Sequence, residues 1–246
     1  MVALLAVSLV ATAWMTWTAW TYRRRRHVAR LGVLNALAFA WVLLAFLYHL
    51  LDASGPRHVL LDLRFVPIVL IPLAWLGFSW AVSGLPRLGL RAFAVISAVP
   101  VMTLFLLATN SSHGLLFSGL YELPNRWAVA VGHEFGPWFW VHVSYSYTLF
   151  AVGAVLMGLM LVRSHRALRP KVALLLMGAL APALIRLAYL ANEALFGFVD
   201  PSPVGFAIST LCYGACVFRF RILELTPVPA RVLLHSMDEA RVVLTP

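Results

Sequence analysis

Apolar residues fill this chain in long runs, and polar residues collect in the short stretches between them. Seven runs stand out, at roughly 2–22, 30–51, 64–84, 91–109, 138–162, 171–195 and 203–222. Each approaches the ~20 mostly apolar residues that cross a bilayer core as a helix. The pattern predicts an all-α membrane protein, a seven-transmembrane helix bundle. The first run does not read as a signal peptide, because no basic segment precedes it and its arginines follow the apolar stretch.

Charge orients the bundle. Alternate connections hold Arg23, Arg24, Arg25, Arg26 and Arg30, then Arg87 and Arg91, then Arg163, Arg166, Arg169 and Lys171, and finally Arg219, Arg221, Arg231 and Arg241. The other connections hold only Arg57, Arg64 and Arg126. Fifteen basic residues against three, with Arg186 inside a run, place the rich set in the cytoplasm. The amino end is then outside and the carboxyl end cytoplasmic. Trp14, Trp17, Trp20, Trp138 and Trp140 lie near run ends, where interfacial aromatics belong. The connection from Asn110 to Pro137 is longer and semi-apolar, with a Pro-Asn turn at 124–125 between two extended-looking stretches. It predicts a hairpin-like extracellular loop between spans four and five, a lid over the outer mouth. Asn110-Ser-Ser also matches a glycosylation sequon, a signal of little weight.

Past the seventh run the chain changes character. Pro229 opens a segment in which Val232, Leu233, Met237 and Ala240 recur at near-helical spacing, so a short cytoplasmic helix is expected there. Composition agrees with the runs: 62% of residues are hydrophobic and 11% charged, too apolar for a soluble domain. The formal charge of +10 does not read as nucleic-acid binding, because the arginines sit in short clusters between apolar runs. Cys212 and Cys216 share a helix face and read as small packing residues.

Ionisable groups at membrane depth are costly and so draw a functional reading by default. Arg186 lies mid-way along the sixth run, as a structural arginine or as counter-ion to an anionic ligand group. Glu193, seven residues on, shares its helix face but is too far for direct pairing. In the fifth run His142, Tyr145 and residue 149 follow one helical stripe, with Tyr147 and Ser144 facing elsewhere. That patch suits either a ligand-pocket wall or interhelical hydrogen bonding. His49, His58, His113, His133 and His142, with Glu134, gather on the outer side, but their spacings match no established ligand pattern, and no metal or other cofactor is expected. HExxH, GxSxG and GxGxxG are absent, so no enzyme activity is expected of this chain. The only lysine, Lys171, is misplaced for a retinal Schiff base.

Particular strings then add to hydropathy. RFVPIVLIPLAW in span three, ATNSSHGLLF at the end of span four, GPWFWVHVSYSYTLFAVG in span five, GALAP in span six, VDPSP before span seven and FRFRILELTPVPAR after it occur in an order that resembles the amino-terminal seven-helix sensor region of bacterial and archaeal histidine kinases. The resemblance covers roughly residues 30–245. The family's recurring positions fall on Pro67, Pro72, Thr109, Asn110, His113, Trp140, His142, Tyr145, Tyr147, Pro182, Asp200, Pro203, Arg231 and Met237. Arg186 departs from it, standing where a small polar residue, often asparagine, is expected.

The resemblance implies a sensor domain at 1–225 and a juxtamembrane signalling helix at 226–246. An extracellular or membrane-borne small ligand would enter under the lid and contact spans three to seven, with Asn110, His113, Trp140, His142, Tyr145, Arg186, Glu193 and Asp200 as ligand-binding residues. Span seven, with Arg219, Arg221, Pro229 and Arg231, would relay the change to a cytoplasmic PAS or histidine kinase domain, in cis or trans. A homodimer in the inner membrane of a prokaryote is implied too. The family's junction runs on into a PAS domain and kinase core, and the stop at Pro246 reads as a cut at that boundary more than as a stand-alone sensor. The alternatives are a small transporter or channel, or a structural membrane module that dimerises.

Overall fold

The computed structural model describes all residues except 1, 25, 52–55, 87, 126–127, 197–199 and 219–246, and leaves out the side chains of 56–58, 120–133, 193–194 and 217–218. The elements in order are α1 (Val2–Thr21), α2 (Arg26–Leu50), α3 (Pro56–Val82), α4 (Leu90–Ala108), α5 (Asn110–His113), β1 (Phe117–Asn125), β2 (Ala128–Phe135), α6 (Pro137–Arg163), α7 (Arg169–Ala191), a 3₁₀ turn (Glu193–Phe196) and α8 (Ser202–Phe218). Among the described residues six helices, α1 to α4, α6 and α7, are long and apolar enough to cross a membrane. The seventh apolar run forms α8, which is described for 17 residues.

Two boundaries differ from the hydropathy reading, and both move charged residues. The third run begins as a helix at Pro56, so Arg64 lies inside α3 and not in a connection. Conversely, α7 stops at Ala191, because Asn192 leaves the helical region (φ −156, ψ 88). Glu193 therefore does not continue the helix of Arg186. Asparagine favours such breaks because its side chain competes for backbone hydrogen bonds.

The helices α1, α2, α3, α6, α7 and α8 close a ring, each packing on the next and α8 returning to α1. Helix α4 sits outside it, against α3 and α6, and leaves Leu90, Val95, Val101 and Phe105 exposed. In water such a face would be a liability; on a membrane protein it is the lipid-facing surface. The interior is aromatic: Trp41 meets Phe206 edge-on at 5.2 Å, and Trp75 stacks on Phe150 at 5.9 Å.

Close approach depends on particular glycines. A Cβ on Gly205 of α8 would lie 2.9 Å from the Pro182 Cα of α7, and one on Gly178 would lie 2.8 Å from the Tyr213 ring. A Cβ on Gly153 of α6 would strike the Trp75 indole nitrogen, whose N–H donates to the Phe150 carbonyl at 3.2 Å. Side chains at these positions would force the helices apart.

Prolines interrupt three helices, at Pro67 and Pro72 in α3, Pro100 in α4 and Pro182 in α7. A proline removes the hydrogen bond to the carbonyl four residues earlier. For two of them a neighbouring helix supplies the missing donor. The Tyr145 hydroxyl of α6 donates to Ile96 O, the carbonyl Pro100 leaves open. The Ser209 hydroxyl of α8 donates to Gly178 O, the carbonyl Pro182 leaves open. Backbone groups inside a bilayer must find protein partners, since water is absent.

Between α4 and α6 the chain forms an antiparallel hairpin with Phe117 opposite Phe135; the turn expected at 124–125 is not there, because Pro124 and Asn125 still pair with Val129 and Ala128 at the end of β1. Its base is tied by Asn110, whose Oδ1 accepts from the N–H groups of Leu116 and Phe117 and whose Nδ2 donates to Phe117 O. Gly114, at φ 63, makes the left-handed turn that ends α5. Gly136 passes so close to the Leu115 carbonyl that no Cβ fits. Phe117 and Phe135 then pack on the ring: Phe117 lies 5.1 Å from Phe65, and Phe135 stacks on Phe139 at 3.8 Å.

Candidate functional site

A cavity lies inside the ring. Its volume is about 90 Å³, against roughly 10–15 Å³ for one water, so several waters or a small organic molecule fit. Every helix of the ring contributes to its wall and α4 contributes none. Spans one and two line the cavity through Thr12, Asn35, Ala38 and Trp41, and span four is absent from it. The reason is the ring closure, which seats α1 and α2 beside α8 and pushes α4 outside.

The wall is largely aromatic and aliphatic, with a few polar groups. On α6 the buried stripe is His142, Ser146, Leu149, Gly153 and Met157, so Ser146, one turn past His142, enters the wall with it. The Thr103 hydroxyl donates to Val99 O at 2.8 Å and accepts from the Trp138 indole N–H at 3.0 Å. Its proton is spent, so towards His142 Nδ1, at 3.4 Å, it accepts. That places the imidazole hydrogen on Nδ1 and leaves Nε2 to accept from the Ser146 hydroxyl at 3.1 Å. His142 is 3% exposed and is held in one tautomer.

Tyr145 makes the interhelical hydrogen bond that was one of its two expected roles, and Tyr147, on another face of α6, lines the cavity. Tyr145 points to α4, where its hydroxyl caps Ile96 O, and is not part of the cavity wall. Tyr147 lines the cavity, its hydroxyl donating to Ala183 O at 3.3 Å. The stripe rule groups residues by helix face, but α6 packs on both α4 and the ring, so two of its faces are partnered. Trp140 is 51% exposed and outside the wall. Asn110 and His113 belong to the base of the hairpin; His113 Nδ1 accepts from Leu115 N–H, and its Nε2 lies 3.0 Å from the Thr109 hydroxyl.

The charges converge at one end of the cavity. Arg186, in the wall, donates through Nη1 to Asp200 Oδ2 at 2.6 Å. Asp200 Oδ1 accepts from the Ser202 N–H at 2.9 Å, an Asx turn at the start of α8. The Asp200 side chain is 3% exposed and that of Arg186 16%. Arg64 of α3 lies within electrostatic reach of both, with its guanidinium carbon 5.9 Å from the centre of the Tyr48 ring. Burial pushes the Asp200 carboxyl up, but Arg186, Arg64 and the Ser202 bonds together outweigh it and hold the group below its ordinary value of 3.8. Arg186 and Asp200 thus form an ion pair, which spacing along the chain does not reveal.

Arg219, Arg221, Pro229 and Arg231, and the helix expected after Pro229, lie outside the described residues, as does the side chain of Glu193. Among the described residues no group of three or more metal-ligating side chains comes together; the side chains of His58 and His133 are not among them. Asn35, Ser146, Thr103, Trp75 and Ser209 went unremarked in the sequence. Ser146 alone had a visible signal, its position four residues after His142.

A helix ring enclosing a mostly apolar cavity, with six helices among the described residues long and apolar enough to cross a membrane, defines a multi-pass membrane protein with a ligand-sized interior space. The family model for the N-terminal 7TM region of histidine kinases matches residues 4–227, and the chain belongs to that family. A comparison with curated proteins finds no match. The family is a membrane sensor region of histidine kinases, and the matched description covers that region and not a kinase core.

Proposed function

We propose that this chain receives a signal at the membrane and passes it to a cytoplasmic histidine kinase or PAS domain, in cis or in trans, as part of a dimer in a prokaryotic inner membrane. All seven apolar runs cross the bilayer, the hairpin faces outside and α8 leads into the cytoplasm. The observation that carries this reading is the cavity wall: Phe206, Ser209, Thr210 and Tyr213 of α8 all line it. A small molecule in the cavity therefore touches the last of the described helices. Ligand binding biases a bundle between two packings only by its differential affinity for them. The Ser209–Gly178 bond and the Gly205 approach to Pro182 make the α7–α8 contact the place where such a bias acts. The juxtamembrane residues Arg219, Arg221, Pro229 and Arg231 continue that path.

The test fuses a PAS-kinase core after Pro246 and measures autophosphorylation. Ala183→Leu or Ala38→Leu, which fill the cavity, should lock the kinase signal and remove its response to added small molecules. Phosphorylation indifferent to both substitutions would count against the reading. Solute flux in liposomes at a rate sensitive to the same substitutions would favour a transporter instead.

A further inference from the structure

Among the described residues, the charged cluster at the cavity end holds two guanidinium groups, Arg64 and Arg186, and one carboxylate, Asp200. It carries one net positive charge. An unbalanced charge buried inside the protein is expensive, and buried charges pair. Arg186 spends Nη1 on Asp200, and its other N–H groups have no acceptor among the described residues. Arg186 also forms part of the wall, whereas Asp200 does not. A molecule in the cavity thus meets the arginine and not the carboxylate. Beyond Arg186 the wall turns apolar through Phe65, Phe139, Leu190 and Phe206.

We propose, on the reading that this cavity is the ligand site, that its ligand is a small monoanionic organic acid, with its carboxylate against Arg186 in the field of Arg64 and its apolar body against the aromatic wall. One negative charge balances the cluster. A dianion would overshoot it, and a cation would be repelled. A bare inorganic anion would balance the charge but leave the apolar wall unfilled.

The experiment uses the full chain in lipid nanodiscs and follows tryptophan fluorescence, since Trp41 and Trp75 line the cavity. The probes are benzoate, its neutral isostere benzamide, and chloride. Benzoate should bind saturably and at least ~tenfold more tightly than benzamide, because charge-assisted hydrogen bonds are the stronger kind. Arg64→Gln, which leaves the Arg186–Asp200 pair intact, should shrink that preference towards unity while benzamide binding persists. The joint Arg186→Gln/Asp200→Asn replacement avoids a buried unpaired carboxylate and should abolish the preference. Equal binding of acid and amide, both lost in Ala183→Leu, would overturn the anion assignment and leave the ligand cavity standing. Chloride binding as tightly as benzoate would overturn it in favour of a simple anion site. A rise in benzoate affinity of ~tenfold in Glu193→Gln would also overturn it, since Glu193 would then be the missing counter-charge. If neither probe binds and Ala183→Leu changes neither binding nor kinase output, the cavity reading falls too.

Discussion

The Tyr145 hydroxyl stands where a backbone N–H would be, were residue 100 not proline. Its loss should therefore cost more than an ordinary side-chain bond. Tyr145→Phe is expected to lower stability by about 0.5–2 kcal/mol, the span between typical membrane hydrogen bonds and an unsatisfied buried acceptor. Pro100→Ala restores the intrahelical donor, so the same substitution should cost less in that background. Reversible unfolding of the four variants as a double-mutant cycle reads this coupling, and additive effects would refute the capping role. Asp200 makes a second residue-scale prediction. Its carboxyl is held below 3.8 in the folded protein, so the pair's contribution is complete above the unfolded value and lost as pH falls through the folded one. Melting followed from pH 7 downward should stay flat for this group until the pH nears 4 and then decline, with a shallower acid limb in Asp200→Asn.

At the scale of elements, glycines set how closely helices approach. Gly205→Ala and Gly153→Ala place a Cβ against a proline backbone and an indole ring respectively, and overpacking of this kind costs about 1–3 kcal/mol. Gly158, on the same helix as Gly153, has open space at its Cβ position. Gly158→Ala should leave Tm unchanged or raise it slightly, since alanine is the better helix former. A similar loss at all three positions would mean that the cause is helix propensity or lipid contact and not the interfaces named. The hairpin follows a comparable rule at its base, where Asn110, Gly114 and Gly136 fix the turn and the phenylalanines then seat it on the ring.

For the whole molecule, the orientation proposed from arginine placement has a direct readout. In a background with Cys212 and Cys216 replaced by alanine, Ser118→Cys on the hairpin should react with a membrane-impermeant maleimide on intact cells. His165→Cys, between α6 and α7, should react only after permeabilisation. Both positions are solvent-exposed, so failure to label reports the membrane side and not burial. The reverse pattern would invert the topology and with it the outside-to-inside direction of signalling.

What the sequence determined by itself was the material of the bundle. Apolar runs of about twenty residues leave few alternatives to helices in lipid, and the family strings stood in readable order. The semi-apolar stretch between spans four and five was legible as a hairpin but its turn was misplaced, since Pro124 and Asn125 are still paired in β1. Which faces meet was decided only in three dimensions, because in a chain this apolar every helix face is a plausible interior. Tyr145 and Tyr147 show it: two residues apart, they point to α4 and to the cavity, and hydropathy is blind to the difference. Arg64 was hidden by the opposite effect, since a charge near a run end reads as a loop until the helix is seen to extend past it. The pairing of Arg186 with Asp200 spans 14 residues and a helix break. Only the turn at Asn192 and the start of α8 bring the two together, and on that contact the chemistry of the cavity depends.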